Sequence, residues 1–268
     1  MSNKEYIINP SALSYFCSHC EYLKQNHNLY NSSISAGITQ TLDSLEKDYF
    51  LGDCRKIDSS LPEGEVIDPY NDTFFSKILE DNKGRPFRIK GKGDAIIKFK
   101  DNTCGIIDYK TSKFQKHVSK PDSFKPDDLA KKIREYDPQL HAYYLLYSNL
   151  EKDKFFLRDQ YIKRYRAKKE ETIQKGVQRV LEKISDVEIN KAKIFGLVFI
   201  YPEGGISSEG INIKMTHKFC EVQIDLDNFL EKITWYLDIM YQKEPPPPPE
   251  SCNNCIMHKH FFDQSKLI

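Results

Sequence analysis

Two stretches of sequence decide the fold: Phe87-Arg88-Ile89-Lys90-Gly91-Lys92-Gly93-Asp94-Ala95-Ile96-Ile97-Lys98-Phe99 and Gly105-Ile106-Ile107-Asp108-Tyr109-Lys110-Thr111. Both contain alternating or β-branched residues, and the Asp101-Asn102 pair between them is a turn signal, so they predict a β-hairpin. Asp108 stands in an otherwise apolar strand, where an unpaired carboxylate is costly to bury. Lys110, two positions on, points to the same side, and Asp94 arrives from the adjacent strand. The hairpin therefore presents two acids and an amine together.

These residue types are the ones that a divalent-metal site uses. The carboxylates of Asp94 and Asp108 suit Mg²⁺ or Mn²⁺, which keep several waters and bind substrate phosphate. Such a metal activates a water and stabilises the charge that builds on a phosphodiester under attack, and Lys110 orients that water or neutralises the transition state. The structural alternative is a salt bridge between Asp94 and Lys110 on an exposed hairpin, with Asp108 capping a loop.

The composition is that of a globular protein. The chain has 268 residues, a length that suits one medium domain or a domain with an accessory lobe. Hydrophobic residues make up 39% and charged residues 29%, a composition that argues against general disorder. No apolar run reaches the ~20 residues of a membrane span, and the first residues do not read as a signal peptide, so we expect a cytoplasmic protein. A net charge of +1 makes local clusters of Lys and Arg, rather than the whole molecule, the candidates for nucleic-acid contact.

The chain divides into three parts that we expect to form a single integrated domain. Residues 1–64 are predicted to form an N-terminal helical lobe, residues 65–244 an α/β core, and residues 245–268 a Pro-rich spacer and a Cys-containing tail. Within the core, Pro138 is predicted to start a helix. Further strands are predicted at residues 194–201 and 219–226, before a last helix at residues 227–241.

Gly93-Asp94 and Ile106-Ile107-Asp108-Tyr109-Lys110-Thr111 together resemble the signature of the RecB-like branch of the PD-(D/E)xK nuclease superfamily. The resemblance implies a restriction-endonuclease-like core, in which helices flank a mixed β-sheet. It also implies that Asp94 and Asp108 bind metal, that the backbone carbonyl of Tyr109 completes the coordination, and that Lys110 is catalytic.

Gln139-Leu140-His141-Ala142-Tyr143 is similar to the Q-x-x-x-Y helix motif of the same branch. Residues four apart share one helical face, and in the family this face lines the active site and supports the lysine or the substrate. An ordinary amphipathic helix is the alternative for Gln139 and Tyr143. One family element is missing, because the early helix has no histidine in its G-x-x-x-H position. Asp43 or Glu46 is the candidate replacement, and either is equally typical of a solvated helix face.

Two C-x-x-C units lie near opposite ends of the chain, Cys17 with Cys20 and Cys252 with Cys255. In a cytoplasmic chain such cysteines are reduced thiols or metal ligands, and four thiolates suit either Zn²⁺ or a 4Fe-4S cluster. This arrangement is similar to that of CRISPR-adaptation and AddB-type iron–sulfur nucleases, which use one cysteine near the start and three near the end. The third C-terminal cysteine is absent here, which leaves Cys17, His258 or His260 as the fourth ligand. The alternative is that the first pair are core thiols.

Two basic segments are candidate DNA contacts. Residues 163–169 carry five Lys or Arg after three aromatic residues, a composition that could track phosphates and stack bases, or equally form a solvated helix. The lysines of residues 113–132 follow the proposed catalytic strand.

The sequence thus predicts a metal-dependent DNA nuclease, exonuclease-like, that acts on single strands or DNA ends. The chain has no P-loop, so a helicase, recombination, repair or defence partner would be a separate protein. Two alternatives stay open: a weakly active or inactive DNA-binding or assembly subunit with the same fold, and an RNA-processing nuclease.

Overall fold

A computed structural model of the chain describes residues 4–14, 16–29, 37–68, 72–111, 126–189, 191–207, 210–250, 252 and 255. Its main layer is a six-stranded sheet. In spatial order the strands are β10 (Gly210–Glu221), β9 (Ala192–Ser207), β8 (Cys104–Thr111), β7 (Ala95–Phe99), β3 (Gly64–Ile67) and β2 (Gly52–Asp53). Every neighbouring pair is antiparallel except β8 and β9, which are parallel, so the sheet is mixed as predicted.

A second, smaller sheet has four strands around β6 (Pro86–Gly91). Strand β1 (Tyr6–Ile8) pairs parallel with β6, while β4 (Phe74–Phe75) and β5 (Leu79–Glu80) pair antiparallel with it. Residues 87–99, predicted as one arm of a hairpin, are therefore divided between two sheets. Gly91 and Gly93 allow neighbouring side chains to pack closely at this break, since an added Cβ would lie 2.9 Å from Pro10 and 3.1 Å from the Tyr147 ring, respectively. Asp94 follows this break directly and precedes β7.

Seven helices accompany the sheets in the described part of the chain: α1 (Pro10–Ser14), α2 (Ser18–His27), α3 (Gly37–Phe50), α4 (Pro126–Ser148), α5 (Lys154–Tyr165), α6 (Glu170–Val187) and α7 (Leu226–Met240). The larger core joins one face of the main sheet to α4, α6 and α7, and a smaller core joins the other face to Phe50 at the end of α3. This architecture confirms the predicted α/β class with a restriction-endonuclease-like core. None of these helices is long and apolar enough to cross a bilayer.

Several predicted boundaries were wrong, since β9 continues to Ser207 and not only to residue 201, and β10 begins at Gly210 and not at residue 219. Pro138 lies inside α4 and does not start it, because Leu129, Ile133 and Tyr136 pack on the larger core and continue the helix through the proline despite its missing N–H. The last strand ends at Glu221 and does not reach Leu226, since the carboxylate of Asp225 accepts a hydrogen bond from the Asn228 N–H and thereby caps α7.

Candidate active site

Strand β8 places the two central side chains of the predicted site. Its alternation buries Ile107 and Tyr109 in the smaller core, and turns Asp108 and Lys110 toward α4. Asp108 is 0% exposed, and the Lys110 Nζ lies 2.5 Å from its Oδ2. Lys110 also donates a 2.9 Å hydrogen bond to the Gln139 Oε1 and lies 4.7 Å from the centre of the Tyr136 ring. The predicted carboxylate and ammonium groups are therefore in contact, and both side chains are largely shielded from solvent.

Asp94 joins this pair from the segment between the two sheets. Its Oδ2 accepts a 3.1 Å hydrogen bond from the Tyr109 backbone N–H, which ties the carboxylate to the middle of β8. Its Oδ1 lies 3.0 Å from the Nζ of Lys47 on α3. The Asp94 side chain is about 20% exposed, so this carboxylate, unlike that of Asp108, is open to solvent.

Asp108 carries the strongest electrostatic perturbation of the site. Burial, followed by the neighbouring carboxylate of Asp94, raises the pKa of Asp108 to about 8, although Lys110 opposes the shift. The contact with Lys110 lacks hydrogen-bond geometry, and the buried Oδ2 has no hydrogen-bond donor among the described residues. A divalent cation between this oxygen and Asp94 would add to the charge of Lys110 and stabilise the ionised form of Asp108.

Helix α4 carries the predicted Gln–Tyr pair to the same place. The Gln139 Nε2 donates to the Asp108 Oδ1 at 3.3 Å and to the Tyr143 hydroxyl at 3.0 Å. The Gln139 Oε1 accepts from Lys110 and, at 3.3 Å, from the Ser14 hydroxyl. Burial, and then the Asp108 charge, raises the pKa of Tyr143 well above its ordinary value. Gln139 is thus a buried amide that links both members of the Asp-x-Lys motif to Tyr143.

The early helix α3 reaches the site without the family's histidine. Glu46 is buried, and one of its carboxylate oxygens accepts a 3.2 Å hydrogen bond from the Thr111 hydroxyl at the end of β8. The side chain of Asp43 lies outside the described residues. The contact that sequence reasoning missed is that of Lys47 with Asp94, because no local pattern relates a helix position to a segment nearly fifty residues away.

The four cysteines of the predicted metal site lie close together in the structure. Cys17 and Cys20 lie at the start of α2, and Cys252 and Cys255 follow the proline segment. The Sγ atoms are 3.6 Å apart for Cys17 and Cys255, 3.7 Å for Cys20 and Cys252, and 3.3 Å for Cys20 and Cys255, and all four lie within 4.8 Å of one another. Burial raises the pKa of Cys20 and, to about 12, that of Cys255. The alternative ligands His258 and His260 lie outside the described residues.

Only part of the two predicted basic segments lies within the described residues. Residues 112–125 lie outside the described part of the chain, while Lys131 and Lys132 lie on α4. Residues 163–169 form the end of α5 and the turn after it, and Lys163 is paired with Asp159 at 2.6 Å. Phe155 is 84% exposed, whereas Phe156 packs against Phe75.

The match to a protein-family model agrees with this architecture. A family model described as the PD-(D/E)XK nuclease superfamily matches residues 49–258. The crystal structure of SSO0001 is similar over 90% of this chain and 79% of its own, with 14% sequence identity and a TM-score of 0.41. No curated protein matches the chain.

Proposed function

Since the chain belongs to the PD-(D/E)XK nuclease superfamily, we propose that it is a Mg²⁺- or Mn²⁺-dependent nuclease that hydrolyses DNA, with the exonuclease-like action of the RecB-like branch. The observation that carries the proposal is the buried Asp108, which contacts Lys110 and Gln139 and lies beside Asp94. Superfamily members are metal-dependent nucleases, and this arrangement contains the groups that such a reaction needs.

The residues fit a divalent metal. Two carboxylates converge, one of them has a buried oxygen without a hydrogen-bond donor, and carboxylate oxygens are the ligands that Mg²⁺ and Mn²⁺ prefer. We assign Asp94, Asp108 and the backbone carbonyl of Tyr109 as the metal ligands. When bound, the metal supplies Lewis-acid charge and lowers the pKa of a water.

The remaining side chains act on the substrate or hold one another in place. The Lys110 ammonium, directed by Asp108 and Gln139, neutralises charge that develops on the scissile phosphate or orients the attacking water. Gln139 is a positioning residue, because its amide holds Lys110 on one side and Asp108 and Tyr143 on the other. The Tyr109 N–H fixes the orientation of Asp94.

The decisive experiment measures cleavage of end-labelled single- and double-stranded DNA with Mg²⁺ or Mn²⁺. We expect the wild-type chain to cut DNA and Lys110→Ala to lose at least 100-fold in rate, as is typical when a transition-state charge contact is removed. Lys98→Ala is the matched control, since Lys98 is an exposed lysine on the adjacent strand β7. Equal rates for wild type and Lys110→Ala, or no cleavage by the wild type, would overturn the proposal. DNA binding without cleavage would support the assembly-subunit alternative, and faster cleavage of RNA the RNA-processing one.

We further propose that Cys17, Cys20, Cys252 and Cys255 hold one zinc ion. A tetrahedral ion with Zn–S bonds of about 2.3 Å places its sulfurs about 3.8 Å apart, close to the 3.3–3.7 Å separations of three of the six pairs of these thiols, and all pairs lie within 4.8 Å. A 4Fe-4S cube binds each thiolate at a different iron and needs the sulfurs farther apart. Elemental analysis of the protein purified without air should find about one zinc per chain. Iron with acid-labile sulfide, or four unmetallated thiols, would contradict this assignment.

A further inference from the structure

A second cleft lies beside the small sheet, away from the paired carboxylates. It has a volume of about 350 Å³ and is formed by Lys90 and Phe75 of the small sheet, by Tyr161, Arg164 and Tyr165 of α5, and by neighbouring side chains. This volume lies within the range of pockets that bind small ligands. The cleft belongs to none of the metal sites described above.

Two cations face this cleft without a salt bridge to the described residues, although the more distant carboxylate of Asp72 interacts with the charge of Arg164. Lys90 is partly buried, and its Nζ lies 5.2 Å from the centre of the Phe75 ring. Arg164 lies over the Tyr165 ring, also at 5.2 Å. Burial, and then the charge of Arg164, lowers the pKa of Lys90, which means that the two positive charges repel each other across the cleft. A bound anion would relieve both the desolvation and the repulsion.

The other charged groups of the cleft are already paired. Lys163 contacts Asp159 at 2.6 Å. The carboxylate of Asp72, the acidic residue of the lining, contacts Lys183 at 2.5 Å and Arg179 at 3.5 Å. It also accepts a 3.4 Å hydrogen bond from the Tyr165 hydroxyl. The cleft therefore presents a net positive charge to a ligand.

Aromatic rings form a second feature of the same cleft. The Tyr161 and Tyr165 rings lie 4.6 Å apart, and both line the space that Lys90 and Arg164 face. Gly176 of α6 makes room for Tyr161, since an added Cβ would lie 2.2 Å from its ring. A positive charge beside aromatic rings is the combination by which proteins bind single-stranded nucleic acid, with the phosphate at the cation and the base stacked on the ring.

One residue of the cleft, Lys90, is close in sequence to Asp94 of the proposed catalytic centre. Lys90 precedes Asp94 by four residues, so their Cα atoms lie at most about 14 Å apart. A few nucleotides of an extended strand can bridge this distance.

We propose that the cleft binds one nucleotide of a single-stranded DNA substrate, with its phosphate at Lys90 and Arg164 and its base against Tyr161 and Tyr165. The proposal rests on the nuclease function argued above and extends it with a subsite for the strand that enters the catalytic centre.

The test measures binding of a fluorescently labelled oligothymidylate by anisotropy in buffer without Mg²⁺ or Mn²⁺, where hydrolysis is blocked and the proposed zinc is retained. Lys90→Gln/Arg164→Gln removes two positive charges without removing a hydrogen bond that the described residues make, so the thermal stability should not change. We expect its Kd to rise at least tenfold and the slope of log K against log salt to fall by about 0.7 for the one phosphate lost. Tyr161→Leu should weaken binding of a thymidine strand more than that of an abasic strand.

The matched control is Arg158→Gln/Lys175→Gln, which changes the net charge equally on α5 and α6 but alters exposed ion pairs with Glu170 and Glu171. We expect this control to bind DNA within about twofold of the wild type, as exposed ion pairs contribute little. Equal losses in both double variants, wild-type affinity in the cleft variant, or no binding by the wild type would overturn the subsite. Binding that depends on Lys90 and Arg164 in a protein that does not cut DNA would refute the nuclease function while the subsite stands.

Discussion

Replacing Asp108 by asparagine should stabilise the metal-free protein, and increasingly so as the pH rises. The side chains have nearly the same shape, but asparagine cannot ionise. The pKa of Asp108 is raised in the folded state from its ordinary value of 3.8 to about 8. Between these values the folded protein retains a proton that the unfolded chain has lost, so the wild type loses stability as the pH rises through this window. The stability of the Asp108→Asn variant should not fall in this pH window, because asparagine has no proton to lose.

The size of the effect follows from the same shift. One pKa unit corresponds to about 1.4 kcal/mol, so from pH 4 to pH 7 the advantage of the variant grows to roughly 4 kcal/mol, and it levels off above pH 8. Below pH 4 Asp108 is protonated in both states, and the two proteins should have nearly equal free energies of unfolding. Mn²⁺ should reduce this advantage without reversing it at pH 7, since a metal at 100 times its Kd stabilises the wild type by about 2.7 kcal/mol and the variant far less.

The assay is urea denaturation followed by circular dichroism at several pH values from 4 to 8.5, in buffer without Mg²⁺ or Mn²⁺. Asp81→Asn is the matched control, because Asp81 is also buried but has the opposite shift. Its burial alone would raise its pKa, yet hydrogen bonds from the Arg85 side chain and from backbone N–H groups outweigh burial and lower it. That variant should be destabilised by a constant amount between pH 5 and 8. A stability difference between Asp108→Asn and wild type that does not change with pH would refute the reasoning.

Three further predictions concern the neighbouring groups. Gln139→Leu should lower kcat at least tenfold with little change in KM, because it releases Lys110 without removing it; an unchanged kcat in steady-state assays would show that the amide is only structural. Lys47→Gln should tighten Mn²⁺ binding severalfold in calorimetry, since it removes a competing cation from Asp94, and weaker binding would contradict this. A zinc-selective chelator should lower Tm in the wild type by several degrees, whereas a Cys20→Ser variant purified without zinc should not respond to it.

The parts of the site that sequence reasoning could predict are those controlled by short-range periodicity. The two-residue repeat of a strand directs Asp108 and Lys110 to one side, and the four-residue spacing of a helix directs Gln139 and Tyr143 to another. The fold then needs only to pack α4 against β8, as the hydrogen bonds among these four residues show. The class of fold was predictable for the same reason.

Contacts that depend on long-range packing were not predictable. The pairing of Lys47 with Asp94 requires α3 to lie across the end of the main sheet, and no local pattern indicates that placement. The continuation of α4 through Pro138 depends on the packing of Ile133 and Tyr136 against the larger core. The cleft at Lys90 combines residues of a strand and a helix that are more than seventy positions apart, and the DNA contact expected from the basic and aromatic composition of α5 stays a prediction.

The burial of Asp108 has a consequence for the rest of the chain. The raised pKa of Asp108 lowers the free energy of unfolding by a few kcal/mol at neutral pH, which is a large fraction of a total stability on the order of 5–15 kcal/mol. The cysteine site can offset this loss of stability. Cys20 and Cys252 are 232 residues apart in the sequence, but their Sγ atoms lie 3.7 Å apart in the folded chain. An ion held by these thiols closes a very long loop, and the entropy cost of closing a loop in the unfolded chain grows with its length. A cross-link between these two cysteine pairs would thus favour the folded state at neutral pH, where Asp108 keeps its proton until a metal ion binds.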